Sequence, residues 1–450
     1  MGNFIKRVVK EVVNVVINIF TDAANAITGR GPALPRWEWK QETDPSVPGS
    51  NSEIDDLIKD YMKQHSVKAG QFALFVGNTL RMSSAYTWGE SDYPITRTDH
   101  VMRVASCSKA FTTAAILDLL DPATAIPDPA TGLPNLEFDE KVFKILFPVN
   151  PPEPRDQRVK EITVQDLLEH TGGWNYRSGP NALNDWVFHL KEIGRRQRRQ
   201  TPPTKEDFAH FVLCETSLDF EPGTRPDEYF TPPDFAPKKA MDTYSNIGYV
   251  LLGMIVEKKA SPFIDYLKTN ILSPAPLSIT DVEVGRTRQA DRRANEVFYE
   301  SPGSGPDATI NPFHFTAAPL PYGGDGSMKE LMDSGGGLIM SANSLARFIT
   351  QNNVLMTRLN PNNIPALRMR QIATGVDASG VARDLTQTRY GKMPGTQAAA
   401  SSFQVKGGSK LYDMAVIFNR QDISKMDWGD NSDDFDRLVR HLQEKVRENF

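Results

Sequence analysis

The feature that most restricts this chain is that strand-like segments stand at both ends of the sequence, with helical segments between them. Gln71-Phe72-Ala73-Leu74-Phe75-Val76 and residues 83–89 read as two strands across a turn at Gly77-Asn78. Far along the chain, residues 398–405 and 411–418 alternate or run apolar as sheet strands do. Between them, residues 111–120, 161–170 and 246–259 read as helices. In the last of these Ile247, Val250, Leu251, Met254 and Ile255 share one face. A closing amphipathic helix carries Phe435, Leu438, Val439, Leu442 and Val446. This order predicts one sheet domain built from both termini and interrupted by a helical insertion. The expected division is 1–51, an N-terminal amphipathic helix and a Pro/Gly/Ser-rich linker; 52–105 with 290–450, the sheet domain; and 106–289, the helical domain.

Bulk composition narrows the function classes. The 450 residues are 39% hydrophobic and 24% charged, enough apolar material for a large core. A net charge of -5 gives no reason to expect nucleic acid as a partner. Two cysteines, Cys107 and Cys214, cannot make a disulfide framework, and Cys107 reads as a small packing residue. The seven histidines are scattered without ligand spacing, so no metal and no cofactor are expected. No run of eighteen apolar residues is present. Residues 1–20 combine Lys6, Arg7 and Lys10 with an apolar face. Lys10, Glu11 and Asn14 interrupt what a signal peptide would keep apolar, so a cytoplasmic location is expected over a secreted one. A docking role for residues 1–20, on a membrane surface or a partner, is expected instead.

The chemistry-bearing pair is Ser106 and Lys109, where a polar segment gives way to a helix. Residues i and i+3 are neighbours on a helix turn. A serine hydroxyl is a poor nucleophile until a base takes its proton. A buried lysine supplies that base, because desolvation disfavours its charged form. The unpaired N–H groups of the helix start suit a developing oxyanion. Taken alone, the pair is more simply a helix cap with a solvated lysine, since a chain of this size holds about one Ser-x-x-Lys by chance. A second signal is Tyr244-Ser245-Asn246 at the head of another helix. A phenol beside a cationic lysine is a candidate base for Ser106, and Asn246 offers both a donor and an acceptor. Packing of Tyr244 and capping by Asn246 is the plainer account of this second motif on its own.

Together, Ser106-x-x-Lys109 and Tyr244-x-Asn246 resemble the penicillin-recognising serine enzymes, the class C β-lactamase and family VIII carboxylesterase group. Phe220-Glu221-Pro222-Gly223-Thr224, residues 167–173 (Leu-Leu-Glu-His-Thr-Gly-Gly) and residues 334–341 (Ser-Gly-Gly-Gly-Leu-Ile-Met-Ser) resemble further elements of that family, in its order. The resemblance implies an α+β fold of the β-lactamase/transpeptidase type, an antiparallel sheet flanked by helices with a helical insertion. It implies Ser106 as the nucleophile, Lys109 and Tyr244 as the proton-transfer pair with either as the base, and Asn246 as an orienting contact. It makes His170 structural. Where the family carries Lys-Thr-Gly, the best match here is Arg389-Tyr390-Gly391, followed by Lys392. Arg389 is then a candidate for a substrate carboxylate. The backbone N–H of Lys392 would join that of Ser106 as an oxyanion hole.

Trp174 and Tyr176 are candidates to line a substrate pocket, as is the proline-rich stretch 225–237. Residues 300–325 read as a long loop over the site. The expected function is a serine carboxylesterase working through a Ser106 acyl-enzyme on a small ester or acyl donor. The alternatives are an acyltransferase of the kind the lovastatin acyltransferase represents, a β-lactamase or D-amino-acid peptidase, and an inactive binding scaffold.

Overall fold

The computed structural model describes residues 36–47, 49–120, 136–175, 203–224, 243–273, 278–287, 291–300, 328–355, 386–393, 395–404, 410–420 and 434–450. The strands are β1 (Trp37–Thr43), β2 (Ala69–Val76), β3 (Thr79–Glu90), β4 (Met102–Arg103), β5 (Glu283–Val284), β6 (Leu338–Met340), β7 (Thr386–Met393), β8 (Thr396–Gln404) and β9 (Leu411–Phe418). The helices that bear on the site are α1 (Ser52–Gln64), α2 (Ser108–Leu120), α3 (Val164–Leu168), α4 (Lys205–His210), α5 (Asn246–Lys259), α6 (Ala342–Leu355) and α7 (Asp434–Asn449).

Six strands form an antiparallel sheet in the order β1-β3-β2-β9-β8-β7. Strands from the two ends of the chain meet at its centre, where β2 pairs β9 from Gly70 opposite Phe418 to Val76 opposite Tyr412. The period of two sorts the side chains onto two faces. Phe72, Leu74, Met414, Val416 and Phe418 pack with the apolar stripes of α1 and α7, which include Ile58, Met62, Leu438 and Leu442. Each such side chain, fully buried, contributes about 1.5–3 kcal/mol. On the opposite face Ala73, Ala398, Ala400 and Ala415 join one large core with α2, α5 and α6. Small residues there let helices lie close to the strands.

Strand β1 corrects the expected linker. Trp37 and Trp39 alternate with Glu38 and Lys40, and β1 pairs β3 along its whole length. Trp39 stacks on Tyr86 at 5.6 Å and Trp37 meets Trp88 at 5.7 Å. Prolines and glycines on both sides hid this period-two segment. Strand β5 likewise falls inside the span read as helical. Residues 1–20, Tyr176, 225–237 and 301–325, for which docking, pocket and loop roles were expected, lie outside the described residues.

A second, three-stranded sheet in the order β4-β6-β5 carries the chain toward the site. Met102 and Arg103 of β4 pair Met340 and Ile339, and the chain then turns directly into α2.

Candidate active site

The Ala105–Cys107 turn presents Ser106. Ala105 has φ +47°, in the left-handed region that costs a non-glycine residue roughly 1–2 kcal/mol. Neighbouring bonds hold it there. The Val104 N–H donates to Leu338 O at 3.2 Å, and the Cys107 N–H donates to Val104 O at 3.1 Å. The Leu338 N–H donates to Ser108 Oγ at 3.2 Å. These bonds tie the turn to the start of β6. The Ser106 N–H makes no hydrogen bond among the described residues, which leaves it open to a developing oxyanion.

Lys109 sits one turn into the helix with 3% of its surface exposed. Its ammonium donates to Ser106 Oγ at 3.2 Å, Asn246 Oδ1 at 2.6 Å and the Gly335 carbonyl at 2.5 Å. These three acceptors match the three N–H bonds of a charged lysine. Burial works the other way and pulls its pKa down to about 7. The side chain therefore has access to both protonation states near neutrality. It also lies over the Tyr244 ring at 4.8 Å and the Tyr249 ring at 5.6 Å.

Tyr244 donates its phenol O–H to Ser106 Oγ at 2.7 Å. Its position follows from the start of α5. Ser245, not Asn246, caps the helix, accepting the Gly248 N–H at 3.0 Å. The Asn246 amide is thereby available to Lys109. The Ser245 N–H donates to His170 Nδ1 at 3.0 Å. The His170 ring lies 4.7 Å from Tyr244 and 5.0 Å from Tyr249. Through these contacts His170 braces the segment that carries Tyr244.

Strand β7 passes beside the nucleophile turn. A methyl built on Gly391 would stand 3.0 Å from the Val104 carbonyl carbon and 3.1 Å from the Cys107 nitrogen, and would overlap the Val104 oxygen. Only glycine permits this approach. Arg389 lies on the same face by strand alternation, and its positive charge reaches Cys107 and Tyr249. The Lys392 side chain is on the other face, paired with Asp436 of α7 at 3.0 Å. Any part Lys392 plays at Ser106 falls to its backbone. Burial pushes the Cys107 thiol up to about 12, which makes it inert.

Trp174 departs from expectation. It is 1% exposed and packs in the large core, folded back against Gly172, so it offers no surface to a substrate. Two site elements escaped the sequence reading. The Gly335 carbonyl carries no side-chain signal, and the left-handed Ala105 is not a residue type that announces a positive φ. Among the described residues no group of three or more His, Cys, Asp or Glu could hold a metal. No helix among them is long and apolar enough to cross a membrane.

Comparison with known proteins places this geometry in context. A family model described as Beta-lactamase matches residues 54–422. A probable fimbrial assembly protein FimD of Dichelobacter nodosus is 27% identical over 168 residues, 36% of this chain and 30% of that protein. Beta-lactamase-like protein 2 of Dictyostelium discoideum is 24% identical over 241 residues, 52% of this chain and 36% of that protein. The matches thus span about a third of those relatives' own lengths. Among solved structures, a D-stereospecific amidohydrolase from Streptomyces superposes with a TM-score of 0.54 at 19% identity, covering 88% of this chain and 98% of that one. A D-amino acid amidase from Ochrobactrum anthropi, complexed with D-phenylalanine, gives 0.52 at 17% identity, covering 88% and 99%. A penicillin-binding protein homologue from Pyrococcus abyssi gives 0.52 at 16% identity, covering 82% and 73%.

Proposed function

The chain belongs to the Beta-lactamase family of serine hydrolases, and on that premise we propose that it is a carboxylesterase that works through an acyl-enzyme on Ser106. The observation that carries this reading is the convergence of Lys109 Nζ at 3.2 Å and Tyr244 OH at 2.7 Å on one serine oxygen. Neutral Lys109 takes the Ser106 proton as the oxygen attacks the ester carbonyl. The oxyanion is received by the N–H groups of Ser106 and Lys392. Tyr244 hands its proton to the departing alcohol and is reprotonated through Lys109. Water then enters, its proton passes to the same pair, and the acid leaves with Ser106 restored. Asn246 holds Lys109 in place throughout.

The test is a burst assay with p-nitrophenyl butyrate on the wild type and Ser106→Ala, followed by intact mass. Rapid p-nitrophenol release with an acyl adduct, both lost in Ser106→Ala, is the expected result. An adduct that persists until an alcohol or amine is added marks an acyltransferase. A folded wild type with neither burst nor adduct overturns the esterase reading and leaves a binding scaffold or a narrow amidase.

A second reading, hydrolysis of a D-amino acid amide or a β-lactam, draws on Arg389. By strand alternation Arg389 shares the face of β7 that carries Gly391, and a substrate carboxylate recognised by its guanidinium would be held in a bidentate manner. The amidohydrolase and amidase resemblances are of fold and are compatible with it. Faster turnover of D-phenylalaninamide than of any p-nitrophenyl ester would favour this reading.

A further inference from the structure

We propose that Lys205, Asp333 and Glu257 form a positioning cluster that holds the Gly335 carbonyl against Lys109. The inference rests on the acyl-enzyme reading above and adds to it three residues that touch neither Ser106 nor a substrate.

The chain of contacts is continuous. Lys205, the first residue of α4, donates to Glu257 Oε1 of α5 and to Asp333 Oδ2, both at 2.6 Å. Asp333 is 5% exposed, and its second oxygen accepts the Ser334 N–H at 2.7 Å. The Ser334 carbonyl accepts Thr112 Oγ1 of α2 at 2.6 Å. The next carbonyl along, Gly335, receives the Lys109 ammonium. Gly253 of α5 leaves room for Ser334, since a methyl there would overlap its side chain. The strap 333–337 is therefore clamped from α2, α4 and α5, and it meets Lys109 with main chain alone.

A peptide carbonyl can be aimed only by what holds its backbone. A buried carboxylate such as Asp333 stays charged only while it is paired. Burial opposes the Lys205 charge, but Asp333 and Glu257 outweigh it and hold the ammonium charged. Burial, with Glu257, pushes the Asp333 carboxyl up, and Lys205 and the Ser334 N–H pull against that shift. Lys205 therefore favours the ionised carboxylate, Asp333 fixes the Ser334 N–H, and the following carbonyl points at Lys109. Lys109 otherwise faces Ser106 and Cys107 from its own turn and Tyr244, Asn246 and Tyr249 from the start of α5, and the Arg389 charge of β7 acts on its neighbours Cys107 and Tyr249. Removing the carbonyl takes away one of three acceptors for the charged form. The charged form then loses ground, and the lysine becomes a weaker, less well-held base.

The experiment uses the full chain with Lys205→Met, Lys205→Arg and Asp333→Asn. Acylation by p-nitrophenyl butyrate is followed against pH. The Lys109 side chain is titrated by NMR on 13Cε-lysine protein, assigned with Lys109→Met. In Lys205→Met the Lys109 midpoint should fall by about one pH unit, and plateau kcat by about tenfold at unchanged KM. Asp333→Asn, which keeps an oxygen for the Ser334 N–H, should shift in the same direction by less. Lys205→Arg should restore both readouts. A midpoint unmoved or raised in folded Lys205→Met and Asp333→Asn, with only the melting temperature lowered, makes the cluster a structural staple and overturns the proposal. Failure of the wild type to acylate would strike the esterase reading alone, because the NMR titration reads the cluster without turnover.

Discussion

Replacing Gly391 with alanine tests whether β7 and the nucleophile turn form one site. The new methyl would overlap the Val104 oxygen and stand 3.0 Å and 3.1 Å from the Val104 carbonyl carbon and the Cys107 nitrogen. All three are main-chain atoms, and Val104 is held by Leu338 and Cys107, so no side chain can swing aside. Reaching ordinary carbon contact requires the strand and the turn to separate by on the order of 1 Å. β7 lies at the sheet edge and is the part free to move. Overpacking of this kind costs about 1–3 kcal/mol of stability. A displacement of that size beside the reacting atoms costs about 100-fold in rate. Urea unfolding and kcat/KM with p-nitrophenyl butyrate measure the two effects. A folded Gly391→Ala protein with wild-type kcat/KM would refute the reasoning, since the β7 backbone could then take no part in catalysis.

Further outcomes follow from other contacts. Lys109, pulled down to about 7 by burial, acts as a base only when neutral, so the acylation rate should rise with pH through about 7. The unfolded chain keeps that proton up to about pH 10.4, so folded stability should rise between those limits, and Lys109→Met should remove its share of the rise in unfolding curves. Asp156, held at about 2 by Arg158 with help from the Leu218 and Arg158 N–H groups, should show a dependence of the same sign in a lower window, stability rising with pH between about 2 and 4. Asp156→Asn should cost about 2 kcal/mol at pH 7, with the gap closing as pH falls from about 4 toward 2; an unchanged gap in that window would dismiss the pairing as a stability element. Gly253→Ala, which crowds Ser334, should lower kcat together with stability by about 1–3 kcal/mol, and a fully active variant would show that the strap tolerates displacement.

How much of this could be read from residue order varies with the kind of interaction. The central sheet was legible because apolar alternation in 71–76 and 411–418 is a local property, and unpaired strands must find partners. Strand β1 was not, because its tryptophans acquire a face only once Tyr86 and Trp88 lie beside them. Trp174 was misplaced because an aromatic after a Gly-Gly turn looks the same in sequence whether it lines a pocket or closes a core.

For the site, the spacing of Ser106 and Lys109 and the Tyr244-x-Asn246 motif were enough to nominate four side chains. That is what residue order determines: which functional groups exist and which are neighbours along one helix turn. Tertiary structure alone decided that Tyr244, 138 residues from Ser106, closes to 2.7 Å. It also decided that Ser245 caps the helix so that Asn246 can serve Lys109, and that burial lowers the lysine's proton affinity. Residues 334–341 stood out in the sequence only as a family element, and nothing in them says that the Gly335 carbonyl meets Lys109 or that Lys205 and Asp333 stand behind it. Backbone groups are the same at every residue, and only the fold determines which of them meets a buried charge.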